Sequence, residues 1–405
     1  MHRRGLTWLG CGFLVSLLVL VGCSGTMATP EPVTLIFAHS NDPSGSYELW
    51  AQQFHDLHPH ITLELTTDGS APGVDVLMAT PFELAGLLDA GAILDLSTFI
   101  EQSEALDRAE FYPAALDIFR NQGRQWALPF GVDMMVLYFN RDLFDQVGAP
   151  YPTVGWTWSD FLARATEVTQ PGADVFGYAM QYEGEAAIYE PLMLIYQRGG
   201  GIFDSLDAPT RVTFDEPLNI EAMEFYAGLV HTHHVAPTAE EAQRLGRPYP
   251  WRGVFDGRFG MWTLMFSERG GELWEFPWQI SWGVVPMPKD AAAGTLALAD
   301  GLFISAGTDH PAEAWLWIEF LSEQTPPFAI PARISLASSA EFERRVGTDV
   351  AEVARAAIAD AILVNPQLLQ FEAELGALAQ AFDQIRSGEA PPEIALVAAQ
   401  EWADR

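Results

Sequence analysis

The chain of 405 residues carries 54 Asp and Glu against 21 Lys and Arg, a formal net charge of -33. Phosphate-rich partners require clustered Lys and Arg, so this balance excludes nucleic acid and anionic lipid surfaces. With 49% hydrophobic residues the chain is too apolar for a disordered acidic segment, and its length suggests two domains, each able to bury its own core.

The first element is a leader. Arg3 and Arg4 make a positive start, and Leu6 to Gly22 is an almost unbroken apolar run of 17 residues, so residues 1–22 fit an export signal. Leu20-Val21-Gly22-Cys23 resembles the bacterial lipobox, in which the Cys is lipidated and becomes the new N-terminus. Cys23 is therefore expected to carry lipid. The alternative is a plain signal peptide or an uncleaved anchor helix, with Cys23 incidental. Cys11, the other cysteine, would leave with the leader, so no disulfide forms within the expected monomer. Residues 23–32 are small, polar and Pro-containing, as a tether should be.

Val33 to Ala38 reads as a buried first strand, followed by the loop His39 to Ser46. Apolar residues at helical spacing mark Tyr47 to His58, and Pro59 ends that helix. Ile61 to Thr66 and Val74 to Met78 read as strands, and Phe82 to Ala90 as a helix closed by Gly91. This alternation predicts an α/β layer with a mainly parallel sheet. Two strand-like stretches, Gln125 to Phe130 and Met134 to Phe139, flank Gly131-Val132-Asp133. Helices are predicted at Asn140 to Val147, Ser159 to Thr169, Leu218 to His231 and His310 to Ser322. Strands are predicted at Arg258 to Phe266, Ile280 to Val285 and Gly301 to Ser305. The Ala-rich tail from Val350 to Trp402 reads as helix broken at Pro366 and at Pro391-Pro392.

Leu128-Pro129, Leu137-Tyr138-Phe139-Asn140-Arg141-Asp142-Leu143-Phe144 and Thr157-Trp158-Ser159-Asp160-Phe161 resemble extracellular solute-binding proteins of family 1, the maltose-binding-protein-like subunits of ABC importers. Trp126 and Phe139 replace tyrosines of the family pattern. Further landmarks fall in family order: Val74-Asp75-Val76, Phe255 to Arg258, Trp282 to Pro288 and the helix Ala314 to Leu321. The resemblance implies a two-lobe periplasmic-binding-protein-like α/β fold of type II, with a ligand cleft between the lobes and a crossing-strand hinge. Crossings are expected near Leu128–Gly131, near Ala297–Asp300 and just after Ser322. The N-terminal lobe would comprise 33–130 plus 298–326, and the C-terminal lobe 131–297 plus 327–405. The implied partners are ABC permease subunits and a separate ATPase. The implied location is outside the cytoplasm, with the protein held to a membrane only by lipid.

A sugar ring stacks its C–H face on aromatic rings, while its hydroxyls need Asp, Glu, Asn or Arg; unpaired polar groups in a closed cleft are costly. Loops after strands supply the candidates. These are Asp42, Ser46 and Tyr47 after the first strand, with capping of the next helix as the competing role of that loop, and Thr80 and Phe82 after the Val-Asp-Val strand. Asp133 and Met134 lie at the first crossing and Asp300 at the second. Trp262, Phe266 and Ser267 follow a strand, and Arg333 lies in Pro331 to Leu336. Tyr182 and Glu183 complete the set. Trp156, Trp251, Trp274 and Trp278 also lie in loops, where ordinary packing is their competing role.

Gly199-Gly200-Gly201 lacks the Lys-Ser/Thr of a phosphate loop, so no ATP site and no cofactor are expected. The clusters His55, His58, His60 and His231, His233, His234 have no matched carboxylate or Cys set, and no metal is expected. A saccharide receptor is thus the leading reading. A polyamine or other small polar solute is the alternative, and a glycan-processing enzyme a remote third, since no carboxylate pair at glycosidase spacing is recognisable.

Overall fold

The structure, a computed structural model, describes residues 31–182, 186–205, 209–246, 250–292, 294–359, 361–363 and 370–405. The leader, Cys23 and Glu183 lie outside the described residues, as does the tether as far as residue 30. The strands are β1 (Val33–Ala38), β2 (Ile61–Thr66), β3 (Val76–Ala79), β4 (Arg120–Asn121), β5 (Arg124–Gln125) and β6 (Leu128–Asn140), then β7 (Phe176–Ala179), β8 (Phe259–Met265), β9 (Trp282–Val285), β10 (Thr295–Ile304), β11 (Ile330–Pro331) and β12 (Ala361–Leu363). The main sheet runs β2-β1-β3-β10-β6-β8-β7.

β-branched and aromatic residues make β1 and β2 good strands, and they pair in parallel from Val33 opposite Ile61. The helix between them, α1 (Ser46–Leu57), buries Tyr47, Trp50 and Phe54, residues three to four apart on one face. Phe37 and Trp317, from the helix Pro311–Ser322, complete this core. A second helix, α2 (Pro81–Asp89), follows β3.

The expectation of a mainly parallel sheet is corrected. β1 is parallel to β2 and β3, but β10 runs antiparallel to both β3 and β6, and β6 runs antiparallel to β8 and β9. The two long strands pass between the lobes in opposite directions, and that sets their antiparallel pairing. The two stretches expected around Gly131 are one strand of 13 residues, in which every residue except Asp133 is buried. From Leu128 to Met134 it pairs with β10, and from Met135 to Asn140 with β8 and β9. Gly131 is required where β11 crosses: a Cβ there would lie 2.7 Å from the Ala329 methyl. The pairing of β10 with β6 shifts register between Asp300 and Gly301, a bulge at the centre of the crossing.

β10 begins at Thr295, earlier than expected, because its first residues pair with β6 and with β12, a strand within the tail read as helical. The helices Glu372–Ser387 and Pro392–Ala403 pack on the helix Pro217–His231, through Leu378, Phe382, Ile385 and Leu396. Among the described residues no helix is long and apolar enough to cross a membrane, and no three His, Cys, Asp or Glu side chains form a metal-ligating group.

Candidate ligand cleft between the lobes

The floor of the cleft is carboxylate. Asp133 on β6 and Asp300 on β10 lie on adjacent crossing strands, where Asp133 pairs with Leu298 and Asp300 with Gly131. Asp133 Oδ1 accepts the backbone N–H groups of Met134 and Ser267, both at 2.9 Å. It thus ties the floor to the segment after β8. Burial raises the Asp133 acid, opposed by the Ser267 hydrogen bonds. Asp300 is pushed up to about 7, first by burial and then by the charges of Asp133 and Glu83. Its side chain keeps part of its surface open.

The N-terminal wall is built by helix starts. Asp42 Oδ2 accepts the N–H of Ser46 at 2.7 Å and of Tyr47 at 3.2 Å, so it caps α1. Ser46 Oγ lies 2.8 Å from Ser44 Oγ. The Tyr47 ring is buried between Phe37 and Trp50, and its hydroxyl lies 3.7 Å from the Met78 sulfur. That hydroxyl is raised far above its ordinary value, mainly by burial, with Asp300 and Asp42 adding. Thr80 precedes α2, where Glu83 accepts its backbone N–H at 2.8 Å. Phe82, next in α2, is half-buried. Pro43, Ser44 and Ser46 face Glu272, Glu275, Phe328 and Arg345 across a cavity of about 350 Å³.

The C-terminal wall is aromatic. Trp251, Phe255, Leu264, Trp274, Phe276 and Trp278 line a recess of about 580 Å³, with Glu268 among its polar lining. Tyr138 and Trp262 stack at 6.0 Å behind Trp278 and close its inner side. The loop from Phe266 to Glu275 turns at Gly270 and Gly271, both at positive φ, and a Cβ on Gly271 would lie 2.0 Å from the Phe276 carbonyl oxygen. This loop borders both cavities: Glu268 and Gly271 line the recess, Glu272 and Glu275 the inter-lobe gap. Burial raises the Glu268 acid and the charge of Asp133 adds to it, while the Trp274 indole N–H donates to it at 2.8 Å. The recess therefore adjoins the carboxylate floor.

The sequence model of the bacterial extracellular solute-binding proteins matches residues 47–327. The chain belongs to this family. It is accordingly an exported protein of the solute-binding class. It is 28% identical over 325 residues to a protein named as an uncharacterized lipoprotein in the oleD 5' region of Streptomyces antibioticus, covering 76% of this chain and 70% of that one. It is 22% identical over 225 residues to an arabinooligosaccharide-binding protein of Halalkalibacterium halodurans, covering 55% and 47%. The structure superposes on a Listeria monocytogenes ABC substrate-binding protein in complex with cycloalternan, with a TM-score of 0.75, 20% identity and coverage of 92% and 98%. That likeness establishes the two-lobe fold.

The remaining candidates of this solute-binding protein lie deeper or further out. Met134 is fully buried in β6 and Phe266 at the start of the loop, where its ring lies 4.5 Å from the Arg269 guanidinium. Trp262 is fully enclosed. Tyr182 donates its hydroxyl to the Pro237 carbonyl at 2.6 Å and borders a cavity with Gln384 and Arg386, residues of the C-terminal helices. Arg333 pairs with Glu110 at 2.5 Å, which joins the segment after β11 to the short turn Arg108–Glu110. His55 Nδ1 lies 2.7 Å from the Ile61 carbonyl oxygen and His231 Nε2 3.1 Å from that of Arg386. Sequence reasoning missed Phe255, Glu268 and Phe276 as site residues; the Gly270-Gly271 pair is the signal that marks the segment from Glu268 to Phe276 as special, while Phe255 ends the helix Trp251–Phe255.

Proposed function

We propose that the protein captures a saccharide in the cleft between its lobes and delivers it to the permease of an ABC importer, whose ATPase is a separate chain. One observation carries this reading: the carboxylates of Asp133, Asp300 and Glu268 run from the hinge to the edge of an aromatic recess. A sugar presents that same pairing, with hydroxyl donors on its rim and C–H groups on its face. The arabinooligosaccharide-binding relative and the cycloalternan-bound neighbour support the class. Bound ligand shifts the lobes toward closure by its differential affinity for the closed state. The lobes are taken as 33–130 with 298–326 and 131–297 with 327–405, and lipid on Cys23 anchors the exported chain.

A polyamine is the second reading, favoured by the mutual electrostatic contact of Asp133, Asp300 and Glu83. Thermal-shift measurements against saccharides and polyamines decide between them, because a ligand of the folded state raises apparent stability. A shift with polyamines and none with any saccharide defeats the sugar reading. Release of monosaccharide from an oligosaccharide by the purified protein defeats the transport reading. Retained lipid labelling of Cys23→Ala defeats the anchor.

A further inference from the structure

The aromatic recess extends the apolar surface beyond what the C–H face of one sugar ring needs. Its polar side chains are few, and several already hold a partner. Arg252 Nε bonds Asp256 at 2.7 Å. Glu268 takes the Trp274 indole at 2.8 Å, and Gln279 donates to the Pro277 carbonyl at 3.0 Å. Behind the recess, the buried indole N–H of Trp262 meets no acceptor among the described residues. Hydroxyls set deep against the rings, away from this polar rim, would lose water without replacement, which is costly. What the recess does offer is ring surface: Phe255 lies 5.1 Å from Phe276 and 6.0 Å from Trp251, and Trp251 lies 6.0 Å from Trp278. Trp274 and Phe276 are 62% and 60% exposed at its mouth. The recess holds about 580 Å³, whereas a cavity of about 150 Å³ accommodates benzene.

We infer that the natural ligand is a glycoside whose non-sugar portion is apolar and ring-containing, with the sugar over the Asp133–Asp300 floor and the apolar group in the recess. This rests on the saccharide reading above and narrows it to glycoconjugates of lipophilic aglycones. Two features of the structure make the two subsites one site. Glu268 lies within electrostatic reach of Asp133 while lining the recess. Ser267, its neighbour, is hydrogen-bonded to the Asp133 carboxylate. A ligand of two rings therefore bridges floor and recess along the Ser267–Glu268 segment, which touches both.

The test pairs probes by sugar. Calorimetry on the mature exported protein compares the methyl and 1-naphthyl glycosides of glucose, galactose, mannose, arabinose and maltose. Burial of the naphthyl ring predicts that, for the sugar that binds, the naphthyl glycoside binds at least about tenfold tighter than the methyl glycoside. Phe276→Ala and Trp251→Ala should each reduce that ratio severalfold. Phe276 is exposed, so its truncation leaves the core intact. Equal affinity for both members of the binding pair, or a ratio unchanged in both variants, overturns the inference while the saccharide reading stands. Failure of every glycoside, methyl and naphthyl alike, overturns both.

Discussion

Asp300→Asn is the most informative single substitution. The Asp300 acid rises from 3.8 to about 7 in the folded protein because burial and the charges of Asp133 and Glu83 disfavour its anion. At about 1.4 kcal/mol per pH unit, the ionised form destabilises the fold by at most about 4 kcal/mol; the part of the side chain open to water makes this a ceiling. The sign follows from proton counts. Between pH 4 and 7 the native state keeps a proton that the unfolded chain has released, so stability falls as pH rises through this window. Above 7 both states are ionised and the penalty is constant. Asn is nearly isosteric and carries no charge. The variant should therefore match the parent near pH 4 and exceed it by up to about 4 kcal/mol at pH 8, with saccharide affinity falling about tenfold or more, since hydrogen bonds to charged acceptors contribute about 1.5–3 kcal/mol. Urea unfolding followed by tryptophan fluorescence at the two pH values, with calorimetry at pH 8, measures both quantities. An equal stability change at both pH values would refute the assignment of a high-lying acid to this position. Unchanged ligand affinity would remove Asp300 from the site.

Asp133→Ala strips the acceptor from the Met134 and Ser267 N–H groups. It should weaken saccharide binding at least about tenfold at a cost of about 1–3 kcal/mol in stability, and carbon-detected NMR titration should show the Asp300 acid moving down once its charged neighbour is gone. Gly131→Leu forces a side chain into the Ala329 methyl; a loss of about 1–3 kcal/mol in urea unfolding is expected, with a ligand-free scattering envelope that differs from the parent, and an unchanged envelope would show that the third crossing accommodates it. Arg269 donates to the carbonyls of Phe266 and Phe328 and lies buried beside the crossing. Arg269→Met should cost about 1–3 kcal/mol and Arg269→Lys less, whereas equal loss in both would mean that guanidinium geometry is irrelevant there.

Where structure depends on nearby residues, the sequence was readable. β1, α1 and β2 show their periods directly, because alternation in Ile61–Thr66 and the Trp50-Phe54 spacing are local. The long strand β6 was read as two pieces because Gly131 and Asp133 look like a break. Its continuity comes from β10, β11, β8 and β9, partners more than a hundred residues away in sequence. The same reason hides β12 in a helical-looking tail. In the cleft, Asp133 stood out as an acid between apolar stretches and Asp300 as an acid at the second crossing that the family resemblance implies, and Trp251, Trp274 and Trp278 stood out among the loop tryptophans. Their convergence did not, since the recess draws on the helix Trp251–Phe255, the end of β8 and the segment 268–279. Arg333 shows the converse: its type suits a ligand, yet Glu110 engages it through a contact that no local pattern announces.

The placement of the carboxylates also decides which contacts drive closure. Asp133 and Asp300 sit on strands paired to each other within the crossing, so their separation is fixed by backbone hydrogen bonds and stays the same whether the lobes are apart or together. Contacts to this floor stabilise open and closed states alike, and a ligand with equal affinity for two states shifts neither. The shift toward closure must then come from surfaces that approach one another: the Pro43–Ser46 turn on one side, and Glu272 and Glu275 on the other. These belong to the loop that also carries Glu268 and Trp274. In a two-part ligand the sugar would set affinity at the floor, while filling the recess would position the loop against the N-terminal wall. Substitutions at Asp300 should accordingly change affinity with little change in the scattering difference between free and saturated protein. Substitutions at Trp274 or Phe276 should shrink that difference even at saturating ligand, and a full-size difference in those variants would place the closing contacts elsewhere.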